Sequence, residues 1–227
     1  VYAHYIYTPS GYVEDGPQYP MILFLHGWGP RQVSEEIGTD LTVVTSDGPP
    51  ALIERNLWDP SFPFVVVSPQ LEDTYWANED IHSFIEYIID RYQINTQRIY
   101  LTGLSLGGGG CWYYAGGMGD ESYAAAIIPI SARGEQSLVH NLTKVPIWAF
   151  HGEKDTTVDP ISNYGSVSLV SAINAESPKV RAKVSMFLNV GHNAWDRTYK
   201  NVFSTNDVRY DPFKTNIYDW LLQYKKE

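Results

Sequence analysis

The sequence contains a single cysteine, Cys111, so no disulfide can form within the chain. It has no run of 18 consecutive apolar residues, and we therefore expect no helix that crosses a membrane. No Cys/His cluster has the spacing of a zinc site, so no metal or other cofactor is expected. No repeat or linker divides the 227 residues, which predicts a single domain over residues 1–227.

Positive charge is also scarce. Lys and Arg number 16 against 26 Asp and Glu, which gives a formal net charge of −10. Without a basic cluster the chain lacks the electrostatic footprint that nucleic acids require, and its acidic balance disfavours anionic membranes. Neither nucleic acid nor an anionic membrane is therefore an expected partner, and no feature of the sequence specifies an oligomeric state.

The chain begins without methionine, inside a strand-like run over residues 1–8. This beginning favours a secreted or periplasmic protein whose leader has been removed. The single cysteine is equally compatible with the cytoplasm, so both compartments stay open.

Apolar runs and helical patterns alternate along the chain, which predicts an α/β fold with a mostly parallel sheet flanked by helices. Helices are predicted after Asn78 as N-cap, from near Leu106, from near Pro160, and over residues 217–225. Residues 29–58 and 197–212 show neither pattern and are expected to be irregular. Strands are predicted over residues 1–8, 20–25, 64–68, 99–102, 124–130, 145–150 and 182–190.

The strongest chemical motif is Gly-Leu-Ser-Leu-Gly at residues 103–107, directly after a predicted strand. In this G-x-S-x-G pattern the serine turns sharply from strand to helix, and the two glycines leave room for that turn. Ser105 is therefore the candidate nucleophile, and the alternative is a glycine-rich turn without chemistry.

A second motif, His-Gly-Trp-Gly at residues 26–29, ends an early strand. In hydrolases with such a serine turn, the oxyanion formed during the reaction is held by two backbone N–H groups. One comes from the residue after the nucleophile, here Leu106, and Trp28 is the natural second donor. Alternatively, the motif only ends a strand. In both cases His26 itself is expected to be structural.

Two carboxylates follow the strand predicted over residues 145–150, and either could orient a catalytic histidine. Asp159 precedes Pro160 at an expected helix start, where a carboxylate would cap the helix. We therefore assign the acid to Asp155. Of the histidines, only His192 follows Asp155 in the chain, so it is the candidate general base. His151 is set aside because it precedes the acid on its own strand.

Two tryptophans are candidate pocket residues. Trp76 should lie near the carboxyl edge of the sheet, where ligands bind in such folds, or else pack as a loop aromatic. Trp195 could shape the substrate pocket, although packing beneath the His192 loop is the more usual role of such a residue.

Five segments together resemble the phospholipase/carboxylesterase-type group of the α/β-hydrolase superfamily, which includes bacterial proteins described as predicted peptidases. More distantly, they are similar to polyhydroxybutyrate-depolymerase-like and feruloyl-esterase-like hydrolases. The resemblance covers residues 5–224. The segments are Leu-His-Gly-Trp-Gly, Gly-Leu-Ser-Leu-Gly-Gly, Pro-Ile-Trp-Ala-Phe-His-Gly-Glu-Lys-Asp, Gly-His-Asn-Ala-Trp-Asp and Tyr-Asp-Trp-Leu-Leu.

This resemblance implies the α/β-hydrolase fold and esterase activity, often on short acyl or aryl esters. It carries over Ser105, Asp155 and His192 as a catalytic triad, with Trp28 and Leu106 as oxyanion donors. No large insertion separates the strands near residues 130 and 145, so little or no lid domain is expected. The sequence thus predicts a serine esterase, with a small-molecule ester substrate as its partner. The alternatives are a peptidase or amidase with the same triad, and a non-catalytic binding domain on this scaffold.

Overall fold

The computed structural model describes residues 2–31 and 40–226. Within these ranges eight strands form one sheet. They are β1 (His4–Tyr7), β2 (Tyr19–Leu25), β3 (Val65–Pro69), β4 (Ile94–Leu104), β5 (Ala124–Ile130), β6 (Trp148–Gly152), β7 (Lys183–Phe187) and β8 (Val208–Tyr210).

The strands lie in the order β1-β3-β2-β4-β5-β6-β7-β8. Strands β2 to β7 are parallel, while the edge strands β1 and β8 run antiparallel to β3 and β7. At the centre, Leu101 of β4 lies opposite Leu23 of β2 and Ile127 of β5. All three side chains are fully buried, as expected for parallel strands that are covered on both faces. The predicted mostly parallel sheet is confirmed.

Helices cover both faces of the sheet. Those that bury apolar residues in one core layer are α2, α3, α4 and α5, and those in the other layer are α1, α6 and α7. They span α1 (Gly48–Glu54), α2 (Asn78–Ile89), α3 (Leu106–Met118), α4 (Val139–Leu142), α5 (Ser166–Ala175), α6 (Trp195–Tyr199) and α7 (Ile217–Leu222). No helix in the described ranges is long and apolar enough to cross a membrane.

Several local expectations about helices and strands were wrong. Helix α1, helix α6 and strand β8 begin or lie in segments that were expected to be irregular, because each is too short to show a periodic pattern. Asn78 is the first helical residue rather than the N-cap, which is Ala77. The Asn78 amide instead lies against Gly117 of α3, so it is turned away from the helix start.

The helix expected from Pro160 begins six residues later, at Ser166. The intervening chain folds back on itself in consecutive turns, in which Ser162 N–H donates to Asp159 O and Gly165 N–H donates to Ser162 O. Gly165 lies so close to the backbone of Asp159 and Pro160 that a side chain would have no room. The proline therefore starts a turn, and the glycine ends it.

Helix α3 lies unusually close to β2. A Cβ on Gly107 would lie 1.9 Å from the Leu25 carbonyl oxygen, far below van der Waals contact distance, so no side chain fits between the two backbones. By contrast, a Cβ on Gly109, one half-turn further along α3, would meet only the Arg133 carbonyl oxygen, at 3.4 Å.

We expect Gly107→Ala to fail to fold, or to lose more than about 3 kcal/mol in free energy of unfolding, because backbone cannot yield as a side chain can. Gly109→Ala is the matched control, and its stability should stay within about 1 kcal/mol of wild type, helped by the higher helix propensity of alanine. Urea unfolding of both variants measures the difference. Equal stability of the two would contradict the close packing of α3 on β2.

Candidate active site

Ser105 is the residue at which β4 ends and α3 begins. Its backbone has φ 51° and ψ −115°, a conformation that costs about 1–3 kcal/mol for a residue other than glycine. Two hydrogen bonds hold it there, since Ser105 N–H donates to Ile130 O at 2.9 Å and Ser105 O accepts from Gly109 N–H at 3.0 Å. The turn presents the side chain at the carboxyl edge of the sheet.

His192 follows β7, and its imidazole lies beside Ser105. The loop reaches this position because Gly152, at the end of β6, lets the Gly191 carbonyl pack directly onto its backbone. His192 Nε2 is 2.9 Å from Ser105 Oγ, and His192 Nδ1 is 2.7 Å from Asp155 Oδ2. A carboxylate can only accept, so Nδ1 carries the hydrogen and Nε2 is free to accept from the serine hydroxyl.

Asp155 lies in the loop after β6, and its carboxylate is fully buried. Oδ1 accepts from the N–H groups of Thr157 at 2.9 Å and Val158 at 3.0 Å. Oδ2 accepts from His192 and also from His151 Nε2 at 3.1 Å. Burial alone would raise the pKa of Asp155, but these hydrogen bonds outweigh it and hold the pKa well below its usual range. The carboxylate is therefore ionised at neutral pH.

The second candidate acid, Asp159, lies elsewhere. Its Oδ1 accepts from Ile161 N–H at 3.0 Å in an exposed turn. The structure thus brings Asp155, and not Asp159, to His192.

His151 was set aside in the sequence, yet its fully buried ring touches Asp155. Its Nδ1 lies 2.9 Å from Ser166 Oγ, at the start of α5. The spacing His-Gly-x-x-Asp places a histidine four residues before the acid. The order of residues along the chain selects the base, but it does not show that a second histidine contacts the same carboxylate.

The loop after β2 passes beside the serine turn. A Cβ on Gly27 would lie 2.7 Å from Leu104 Cδ1 and 3.7 Å from Ser105 Cβ, so this glycine permits the close approach. Trp28, the next residue, lines the same cavity as Ser105 and Leu106. Leu106 is the first residue of α3, where a backbone N–H has no acceptor within its own helix.

Two side chains brace this loop. His26 is buried, and its Nε2 accepts from Leu71 N–H at 2.9 Å while Nδ1 lies 2.6 Å from Gly27 O. Burial lowers the pKa of His26 to about 4, so it stays neutral and links the loops after β2 and β3. On the outer side, the Arg31 guanidinium stacks 3.3 Å from the centre of the Trp28 ring.

The cavity over Ser105 has a volume of about 730 Å³, within the range of small-molecule sites. Glu79 and Arg133 are the charged residues of this lining, one of each sign. Four aromatic residues also line it, and these are Trp28, Tyr75, Trp76 and Tyr113.

The two candidate pocket tryptophans differ in position. Trp76 lines the cavity, although it is largely buried and its Nε1–H donates to His26 O at 3.2 Å. Trp195 is not among the described residues that line this cavity. Its ring stands edge-on to His192, with centroids 5.3 Å apart, and its Nε1–H donates to Asp47 Oδ1. Trp195 packs against the histidine because Asp47 holds its indole there.

Across the described part of the chain, no three His, Cys, Asp or Glu side chains form a group that could hold a metal ion.

No protein-family model and no curated protein matches the sequence. Solved structures do match. A thermostable esterase is similar over 98% of this chain, with a TM-score of 0.71 and 24% identity, and the chain spans 59% of that protein's length. Esterase PE8 has a TM-score of 0.57 and 17% identity, over 85% of this chain and 91% of that one.

Esterase 2 of Thermogutta terrifontis, solved in a form phosphorylated by paraoxon, has a TM-score of 0.62 and 16% identity. The match covers 84% of this chain and 78% of that one. At these identities the similarity establishes architecture. Together with the order of the strands and the serine turn between β4 and α3, it shows that the chain has the α/β-hydrolase fold.

Proposed function

We propose that the protein is a serine hydrolase of carboxylic esters, with Ser105 as nucleophile, His192 as general base and Asp155 as the residue that orients His192. The observation that carries the proposal is the continuous contact from Ser105 Oγ through His192 to Asp155 Oδ2, at 2.9 Å and 2.7 Å. Ser105, at one end of this series of contacts, lines a cavity that is large enough for a small substrate. The structural neighbours, which are named esterases, point in the same direction.

Each atom of the relay has a step. Ser105 Oγ attacks the acyl carbon while its proton passes to His192 Nε2. The negative charge of Asp155 stabilises the imidazolium that forms. The carbonyl oxygen becomes an oxyanion, for which the backbone N–H groups of Leu106 and Trp28 are the proposed donors.

Collapse of this intermediate breaks the ester C–O bond, and His192 returns the proton to the leaving alcohol. A water molecule then attacks the acyl-serine and gives its proton to His192 Nε2. The acid is released, and the proton returns to Ser105 Oγ. The proton crosses the 2.9 Å contact from Ser105 to His192 when the acyl-serine forms, and it crosses back when the acyl-serine is hydrolysed.

Short acyl or aryl esters are the proposed substrates. The aromatic walls of the cavity offer flat apolar contact for a ring, with Trp76 and Tyr113 on the side of α2 and α3. Glu79 and Arg133 balance each other in charge, which favours a neutral substrate. Amide cleavage would use the same groups, so hydrolysis of a matched ester and amide decides between them.

We expect Ser105→Ala to lower kcat by a factor of about 10³–10⁶, because the nucleophile is lost. A fluorophosphonate probe should label wild type and fail to label this variant. Ser131→Ala is the matched control, since Ser131 also follows a strand with a positive φ, of 48°, although it is fully buried. Its Oγ has no hydrogen-bond partner within residues 2–31 and 40–226.

Ser131→Ala should retain most of the turnover. Retention of more than about a tenth of wild-type activity by Ser105→Ala would exclude Ser105 as the nucleophile. Intact wild type that resists the probe would favour a binding domain without catalysis.

Asp155→Asn should lower kcat by about 10²–10⁴, because the amide removes the charge that holds the His192 tautomer. Asp159→Asn is the control, with the same chemical change four residues away. Its amide oxygen can still accept from Ile161 N–H, so activity and stability should stay near wild type. Kinetics with circular dichroism separates the two, and the reverse pattern would assign the acid to Asp159.

We expect kcat/KM to fall on acidification, because protonated His192 cannot accept from Ser105. Asp155 and His26 do not contribute to this fall near neutral pH, since the pKa of Asp155 is held low and the pKa of His26 is about 4. We therefore expect the acidic side of the pH–rate profile to follow the protonation of a single group. The same limb in the residual activity of His192→Ala would show that another group titrates.

A further inference from the structure

The carboxylate of Asp155 has two imidazole neighbours on one oxygen. Oδ2 lies 2.7 Å from His192 Nδ1 and 3.1 Å from His151 Nε2. The side chains of Asp155 and His151 are both fully buried, whereas His192 is 25% exposed. His192 therefore approaches this oxygen from the partly exposed side, next to Ser105, and His151 approaches it from the protein interior.

The neighbours of His151 fix its tautomer. Nε2 faces Asp155 Oδ2 and, at 2.9 Å, the Val158 carbonyl oxygen, and neither of these can donate. Nε2 must therefore carry a hydrogen. On the other side, the Ser166 hydroxyl has one proton and two acceptors within reach, His151 Nδ1 at 2.9 Å and Ala132 O at 3.5 Å. In the tautomer that carries its hydrogen on Nε2, Nδ1 can only accept, so the Ser166 hydroxyl donates to Nδ1.

Few groups near the ring carry charge. Among the described contacts of His151, only Asp155 is ionised, and His192 lies beyond that carboxylate. Glu153, earlier in the same loop, faces away and pairs with Arg209 of β8. The one hydrogen on Nε2 is shared between Asp155 Oδ2 and the Val158 carbonyl oxygen, an arrangement that needs no second buried charge.

Resting on the proposed function, we propose that His151 is a positioning residue of the catalytic relay. Its Nε2–H holds Asp155 Oδ2 in place and shares the negative charge that would otherwise act on His192 alone. Sharing weakens the hold of the carboxylate on protonated His192, so His192 remains a free base to lower pH than it would beside an unshared carboxylate.

Two amides provide a matched test. In His151→Gln, the amide nitrogen can occupy the place of Nε2 and still donate to Asp155. In His151→Asn, the shorter amide reaches only the place of Nδ1, beside Ser166. Both variants keep a polar, uncharged side chain in the same pocket, so they differ in the donor to Asp155. Ser166→Ala is the third variant, which removes a hydrogen bond from the same ring and leaves that donor intact.

The measurement is the pH profile of kcat/KM on an aryl ester. We expect the half-point of the acidic limb in His151→Asn to rise by about 0.5–1 pH unit, with a lower plateau because Asp155 is held less firmly. In His151→Gln and Ser166→Ala the half-point should stay near wild type. An unchanged half-point in His151→Asn overturns the proposal, whatever the variant loses in rate or stability, and so does an equal rise in both amides.

A second measurement needs no variant and no turnover. In wild type with ¹⁵N-labelled histidines, His151 should remain the neutral Nε2–H tautomer, and its Nε2–H signal should shift as His192 titrates. A His151 with its hydrogen on Nδ1, or one that does not respond to His192, overturns the proposal. If wild type cleaves no ester, the proposed function fails. The spectroscopic result can still support or overturn the sharing of Asp155 Oδ2 by the two histidines.

Discussion

The structure depends on one close approach between two pieces of backbone. Helix α3 begins at Ser105 and lies so near β2 that Gly107 touches the Leu25 carbonyl. That approach forces the sharp turn from β4, with its positive φ at Ser105, and a hydrogen bond to Ile130 of β5 holds the turn. The loop after β2 is drawn alongside, where Gly27 packs against Leu104. The strain at the serine is thus offset by the packing of a buried sheet, and the Ser105 hydroxyl lies at the edge of that sheet.

Electrostatics at the site centre on the carboxylate of Asp155. An unpaired buried charge would be costly, but four N–H groups surround this one, two from the backbone and two from imidazoles. The backbone donors come from the turn that follows Asp155, so the loop sequence itself prepares the site for a negative charge. The protein has a net charge of −10, yet its reactive groups depend on this local arrangement and little on the overall balance.

Sequence patterns were informative where a physical requirement is local. The parallel sheet follows from continuous apolar runs, and the turn at Ser105 follows from the glycines on either side of it. The positions of Asp155 and His192 follow from strand ends, which meet at one edge of a parallel sheet. Patterns failed where distant residues decide. Asn78 was expected to cap a helix, but Gly117 of α3 leaves a gap that its amide fills. Likewise, the contact of His151 with Asp155 was not expected, and Ser166 of α5 holds the other side of the His151 ring.

The central claim is that an acyl group is transferred to Ser105 and then to water. The most direct test is mass spectrometry of wild-type protein acid-quenched during turnover of an aryl ester, with the modified peptide sequenced. The account predicts a mass increase equal to the acyl group, located on Ser105, that disappears when substrate is exhausted. Turnover that proceeds without any acyl-protein, in wild type or in Asp155→Asn, would contradict acyl transfer to Ser105. So would an acyl group on another residue.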